Sequence, residues 1–301
     1  MAQSEQTHKE PIKNPTVGFL GLGVMGRPMA ENMAKKHTVL GFDLDPQRYT
    51  GLSRVVRAES VREIAESCSV VCLSLPSAAV AERVMIGPDG LGEILSEGCL
   101  VIDFTTSTPS VSQAIAARLA ERNVAFVDAP VSGGEGGAIN ATLSIMVGAT
   151  PETFERCRPY LDAVGSSAVR VGETGAGNVA KLVNNMIVGS TFAVIAEGFA
   201  LAEKNGIEKE VLYTAIRGGW AGSNVLEVAV PAMVRNDYTP GGTVDIMQKD
   251  LAYARTVATE YHVPVPMTAA AHELYVASQA LGDGKLSQPV IIKVWDNKRA
   301  P

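Results

Sequence analysis

The chain has 301 residues, 46% of them hydrophobic and 19% charged, and a formal net charge of -6. That balance fits a soluble globular protein with room for two domains. With no basic stripe, it argues against a nucleic-acid or anionic-membrane partner. Cys68, Cys72, Cys99 and Cys157 show no CxxC spacing, which fits buried reduced thiols in a cytoplasmic protein.

Residues 1–15 are polar and lack an apolar centre, so they read as a frayed tail rather than a signal peptide or anchor. Residues 16–20 form an apolar run of buried-strand type, followed at once by Gly21-Leu22-Gly23-Val24-Met25-Gly26. A helix to about residue 36 and a second strand at 38–42, ending at Asp43, complete a dinucleotide fingerprint. Gly21 permits the tight turn, Gly23 lets backbone approach a pyrophosphate, and Gly26 allows helix and strand to pack closely. The pyrophosphate itself would rest on the amides of the helix N-terminus. Asp43 can accept from ribose hydroxyls and repel a 2′-phosphate, which favours NAD, while Arg48 leaves NADP open.

Strand patterns recur at 69–75, 100–103, 124–127, 142–147 and 168–171, separated by helical patterns at 61–66, 77–85, from Pro109 onward, and 152–161. Such alternation predicts an α/β domain of Rossmann type with a doubly wound, mainly parallel sheet. Ligands bind off the carboxyl ends of such strands, so Leu75 and Pro76, Thr105 and Thr106, and Asp128-Ala129-Pro130 are expected to face one crevice. The glycine-rich stretch 131–137 follows on that side. Its amides and the Ser132 hydroxyl make a nest for an anion such as a carboxylate.

From residue 176 to 202 the only charges are Lys181 and Glu197. That pattern predicts a helix buried nearly all round, wedged between two domains. Lys181 and Asn185 share a face, and Gly177, one turn earlier, would leave room for something to approach. An ammonium there is costly unless paired or used. Beyond it the patterns at 209–217, 224–234, 244–262 and 268–281 are helical. The expected domains are therefore 1–172, dinucleotide-binding, and 173–301, all-α, joined by the long helix. No metal-ligand spacing and no GxSxG or Cys–His arrangement stands out.

Together these motifs resemble the β-hydroxyacid dehydrogenase family from residue 16 nearly to the end. The glycine motif at 18–30, Asp128-Ala129-Pro130-Val131-Ser132-Gly133-Gly134, the segment 175–185 and Lys249-Asp250-Leu251 match in order. The resemblance implies a cofactor site at Gly21, Leu22, Gly23, Val24, Met25, Gly26, Asp43, Leu75, Pro76 and Thr106. It implies a catalytic Lys181 supported by Asn185, substrate-carboxylate contacts at Ser132, Gly133 and Gly134, and a second active-site lysine, Lys249, near both substrate and nicotinamide. One departure is Ala141, where the family usually has glycine. The implied activity is hydride transfer between NAD, or NADP, and a small hydroxy or oxo acid. So apolar a helical domain also needs covering, which predicts a homodimer or homotetramer. Residues 218–223 are similar to the 2-hydroxy-3-oxopropionate (tartronate semialdehyde) reductase branch, with Trp220 a candidate pocket wall. Residues 290–295 are more similar to 2-(hydroxymethyl)glutarate dehydrogenase, and 3-hydroxyisobutyrate, serine and threonate remain alternatives. A non-catalytic dinucleotide-binding interaction module is the rival from a different class, and the presence of Lys181 counts against it.

Overall fold

The computed structural model describes residues 17–239 and 241–296, so the expected tail at 1–15 lies outside the described residues. The first half runs β1 (Val17–Leu20), α1 (Gly26–Met33), β2 (Val39–Phe42), β3 (Val56–Arg57), α2 (Val61–Ser67), β4 (Val70–Leu73), α3 (Ala78–Ile86), β5 (Leu100–Asp103) and α4 (Pro109–Ala120). It continues with β6 (Ala125–Asp128), β7 (Val131–Ser132), α5 (Gly134–Asn140), β8 (Leu143–Gly148), α6 (Pro151–Leu161) and β9 (Gly165–Gly172). The second half is helical: α7 (Ala176–Lys204), α8 (Lys209–Ile216), α9 (Asn224–Arg235), α10 (Val244–Glu260), α11 (Pro266–Ala280) and a 3-10 segment, Gln288–Trp295.

The strands join one sheet in the order β3-β2-β1-β4-β5-β6-β8-β7, with β9 beside β8. Every pair from β3 through β6 is parallel, whereas β8 runs antiparallel to β6 and β7. Strands β1, β4 and β5 are buried at every position, as a sheet covered on both faces requires. One apolar cluster contains Phe19, Met29, Ile102 and Val147, and a second contains Leu20, Leu73, Val101 and Leu119. The alternating sequence pattern is thus realised as two helical layers on a central sheet.

Three expectations need correction. The glycine-rich stretch 131–137 is not one loop. It holds the short strand β7 and the first turns of α5, with the chain reversing at Gly133 (φ 137°) and Gly134 (φ 62°). Strand β9 is eight residues long rather than four, because its polar outer positions hid the pattern. Helix α7 is not buried all round: Val179, Val183, Ile187, Val194 and Leu201 lie exposed along one stripe.

Helix α7 has 29 residues and enough apolar character to cross a membrane on length and composition alone. Its fold role is different. Phe192, Ala196 and Phe199 pack with Leu226 and Val230 of α9, Leu251 of α10, Tyr275 of α11 and Ile291 of the 3-10 segment. Its N-terminal turns meet β8, β9 and β6. One rod therefore carries residues from the sheet's edge into the core of the helical half.

Candidate active site

The glycine turn lies where the sequence places it. Gly21 has φ 89°, and a Cβ there would meet the Ser74 carbonyl at 2.2 Å. A Cβ on Gly26 would lie 1.9 Å from the Gly21 carbonyl, so helix α1 packs on the turn only because both are glycine. Gly23 is different, since a Cβ there would meet nothing within 4 Å. That open space, beside an α1 N-terminus with no side-chain cap, fits the pyrophosphate of a dinucleotide. Asp43 caps the turn by accepting from the Leu22 amide at 2.7 Å and from the Asp45 amide at 2.9 Å. Arg48 pairs with Asp45 at 3.2 Å. A cleft of about 650 Å³ opens beside the turn, with Gly23, Val24, Arg27, Arg48 and Glu135 among its lining residues.

Further along the sheet, the Leu75 amide donates to Thr105 Oγ1 at 3.0 Å, and the Thr105 amide donates to the carboxylate of Asp103 at 2.9 Å. These bonds fix the loops after β4 and β5 side by side. Pro76 stands exposed and Thr106 half-buried next to them. Asp128 departs from expectation: its carboxylate turns into the first turn of α7 and not toward a ligand. Gly177 serves the same contact. A Cβ there would lie 2.6 Å from the Asp128 carbonyl and 2.5 Å from that of Met146, so its missing side chain admits the sheet rather than a substrate.

Lys181 is 9% exposed. Its amine is pulled down to about 8, chiefly by burial; Lys249 adds to the fall and Asp250 opposes it. The residues around it form a chain of contacts. Ser132 Oγ donates to Asn184 Oδ1 at a long 3.4 Å, Asn184 Nδ2 donates to Asn185 Oδ1 at 2.9 Å, and Asn185 Nδ2 donates to Asp250 Oδ2 at 2.7 Å. Lys249 Nζ closes it on Asp250 Oδ1 at 2.8 Å. Expected substrate, catalytic and C-terminal residues are thereby brought together from β7, α7 and α10. Gly133 and Gly134 sit exposed at the end of β7. Helix α5 is tied to the cofactor helix by Asn32, whose amide donates to the carbonyls of Ala138 at 2.7 Å and Ile139 at 3.1 Å.

Two residues went unassigned at the level of sequence. Asp250 is 2% exposed and links Lys249 to Asn185; a carboxylate on the buried side of a helix was the available signal. Tyr253 lies 4.9 Å beneath the Lys249 ammonium, and its hydroxyl accepts from the Ala78 amide at 3.4 Å. It therefore joins α10 to the first residue of α3. Trp220, by contrast, is fully exposed.

The chain is similar to known proteins along most of its length. Residues 16–172 match the family model described as the NAD binding domain of 6-phosphogluconate dehydrogenase, and residues 175–295 match that described as NAD-binding of NADP-dependent 3-hydroxyisobutyrate dehydrogenase. The 2-(hydroxymethyl)glutarate dehydrogenase of Eubacterium barkeri is 35% identical over 94% of this chain and 96% of its own. The 2-hydroxy-3-oxopropionate reductase of Escherichia coli K12 is 32% identical over 93% of this chain and 97% of its own. Among solved structures, a 3-hydroxyisobutyrate dehydrogenase from Salmonella typhimurium superposes with a TM-score of 0.85 at 31% identity, covering 93% of this chain and 99% of that one.

Proposed function

The chain belongs to the β-hydroxyacid dehydrogenase family, and from that premise we propose that it interconverts a small β-hydroxy acid and the matching β-oxo acid, with Lys181 handling the proton. The single observation that carries this is the buried amine of Lys181, held near pH 8 at the junction of the two halves. A bound nicotinamide supplies the hydride acceptor or donor. For alcohol oxidation the neutral Lys181 amine takes the hydroxyl proton, and for reduction its ammonium returns it. Asn185 acts through Asp250, which it orients at 2.7 Å. To Lys249, paired with that same acid, we assign a place beside the substrate and the nicotinamide.

The substrate carboxylate is held by Ser132 and by the amides at Gly133 and Gly134, with Asn184 beside the serine. A small acid fits this scheme, and 2-hydroxy-3-oxopropionate is our first choice among those its relatives use. For the cofactor we favour NAD. Asp43 stands at the end of β2, and Arg48, the cation that could greet a 2′-phosphate, is already engaged by Asp45.

We also infer a homodimer or homotetramer, in which a second copy covers the exposed stripe of α7. A cytoplasmic address is supported by the four buried free thiols. The decisive experiment mixes the purified protein with NADH and a panel of β-oxo acids, following absorbance. Lys181→Ala should abolish turnover while NADH still binds, and activity that survived would remove the lysine from the mechanism. Light scattering of Ile187→Glu tests the assembly, for which an unchanged mass would rule out the α7 stripe.

A further inference from the structure

We propose that Asp128 is a positioning residue for Lys181: a buried carboxylate that bolts the first turn of α7 to the end of β6 and so sets how far the amine stands into the crevice. The proposal rests on the role assigned above to Lys181. Asp128 is fully buried. Its Oδ1 accepts from the Gly175 amide at 2.7 Å and its Oδ2 from the Asn178 amide at 2.8 Å, with the Gly177 amide also facing it. A carboxylate at this end of a helix satisfies amides that otherwise lack partners and opposes the macrodipole. The slot is built to its shape. A Cβ on Gly148 would lie 2.3 Å from Asp128 Oδ1, and one on Gly177 would lie 2.8 Å from Oδ2.

A second strut leads to α4. Asn178 accepts from the Ser107 amide at 2.7 Å and donates to Ser112 Oγ at 3.0 Å. Lys181 follows one turn later on the same rigid rod, so a shift of the first turn is a shift of the amine. Asp128 also has a silent neighbour. Asp103 is its register partner on β5, and Asp103 Oδ2 is buried without a hydrogen bond. Burial raises both acids, Asp103 to about 7 and Asp128 to about 6, and the charge of Asp128 adds to the rise of Asp103. The bolt is therefore strongest when Asp128 is the ionised member.

The test is Asp128→Asn, which keeps the shape but sets an NH2 group against a backbone N–H. We expect kcat to fall about 10- to 100-fold with the NADH Kd within twofold, and the pH limb assigned to Lys181 to move upward as the amine is rehydrated. Asp250 and Lys249, the charges that flank the amine, are untouched. Loss of a through-space charge alone would move the limb downward, so the sign separates seating from electrostatics. A folded variant with unchanged kcat and pH limb overturns the proposal while leaving Lys181→Ala to judge the mechanism itself. If the variant does not fold, hydrogen exchange on the wild-type enzyme decides. The amides of Gly175 and Asn178 should lose protection as pH falls through about 6, after correction for intrinsic rates, and exchange that followed intrinsic rates alone would refute it.

Discussion

Asn185 donates to Asp250 at 2.7 Å, so the amide one turn beyond Lys181 orients an acid, and that acid's charge acts on the buried amine. On the other side of that acid stands Lys249, whose ammonium donates to the second carboxylate oxygen at 2.8 Å.

Asp250 opposes the fall in the Lys181 pKa, and removing its charge should deepen that fall. Asp250→Asn is therefore expected to move the Lys181 limb of the kcat/KM profile from about pH 8 toward lower pH. It should also reduce kcat/KM by roughly tenfold, about 1.4 kcal/mol of barrier. Steady-state rates across pH 5–10 check this, and a limb that stayed in place would remove Asp250 from the amine's electrostatics.

The buried amine should cost stability. Lys181 falls from 10.5 to about 8 on folding, so the unfolded chain binds more protons between those values and stability rises with pH across that window. Below about pH 8 the cost is present in full, with an upper bound of about 3 kcal/mol. Lys181→Met should accordingly stabilise the inactive protein at pH 7 by on the order of 1–3 kcal/mol, and the gain should shrink toward pH 10. Urea unfolding at several pH values measures it.

Two glycines of one motif should fail differently. Gly23→Ala adds a methyl where nothing lies within 4 Å, so the fold should survive with Tm nearly unchanged while dinucleotide affinity drops at least tenfold. Gly26→Ala drives a methyl to 1.9 Å from a carbonyl and should destabilise by several kcal/mol, on the order of other overpacked sites. Calorimetry and NADH titration on both variants separate the roles.

Ala141 ends α5 at φ 54° and ψ 40°, in the left-handed region. A Cβ there costs roughly 1–2 kcal/mol, so Ala141→Gly should stabilise by about 0.5–1 kcal/mol after the entropy of the unfolded glycine is deducted. Thermal unfolding checks this, and a lower Tm would contradict it. The family's usual glycine at this position has the same physical cause.

Cofactor choice is addressed through Asp43. Replacing it by Asn removes the charge we assign to the ribose while leaving an oxygen for the Leu22 amide, now at 2.7 Å from the carboxylate. The ratio of kcat/KM for NAD over NADP should fall at least tenfold. An unchanged ratio would move the determinant elsewhere in the cleft.

Much of the fold was legible because its elements carry simple periodicities. Strands such as 100–103 are short, fully buried and bounded by turn residues, and the capping Ser77 and the opening Pro109 mark helix starts. What stayed hidden depends on contacts distant in sequence. The polar face of β9 masked half its length, and β3 has two exposed residues that pair only with β2. Helix α5 begins in a run of glycines that have weak helical propensity, and tertiary packing on α1 overrides it. At the site, Lys181 and the glycine turn declare themselves locally. Asp250 and Asp128 acquire their roles only when α10 and β6 meet α7, separations of 65 and 50 residues along the chain.

Because α7 is one unbroken helix, the nucleotide half and the helical half cannot be exchanged as independent modules. A graft that replaced everything after the junction would bring a new residue in place of Lys181, to which we assign the proton transfer, and would have to dock its first turn on the old sheet. Divergence in this architecture is thus channelled: the dinucleotide cradle can be inherited intact, whereas chemistry and substrate fit must change together.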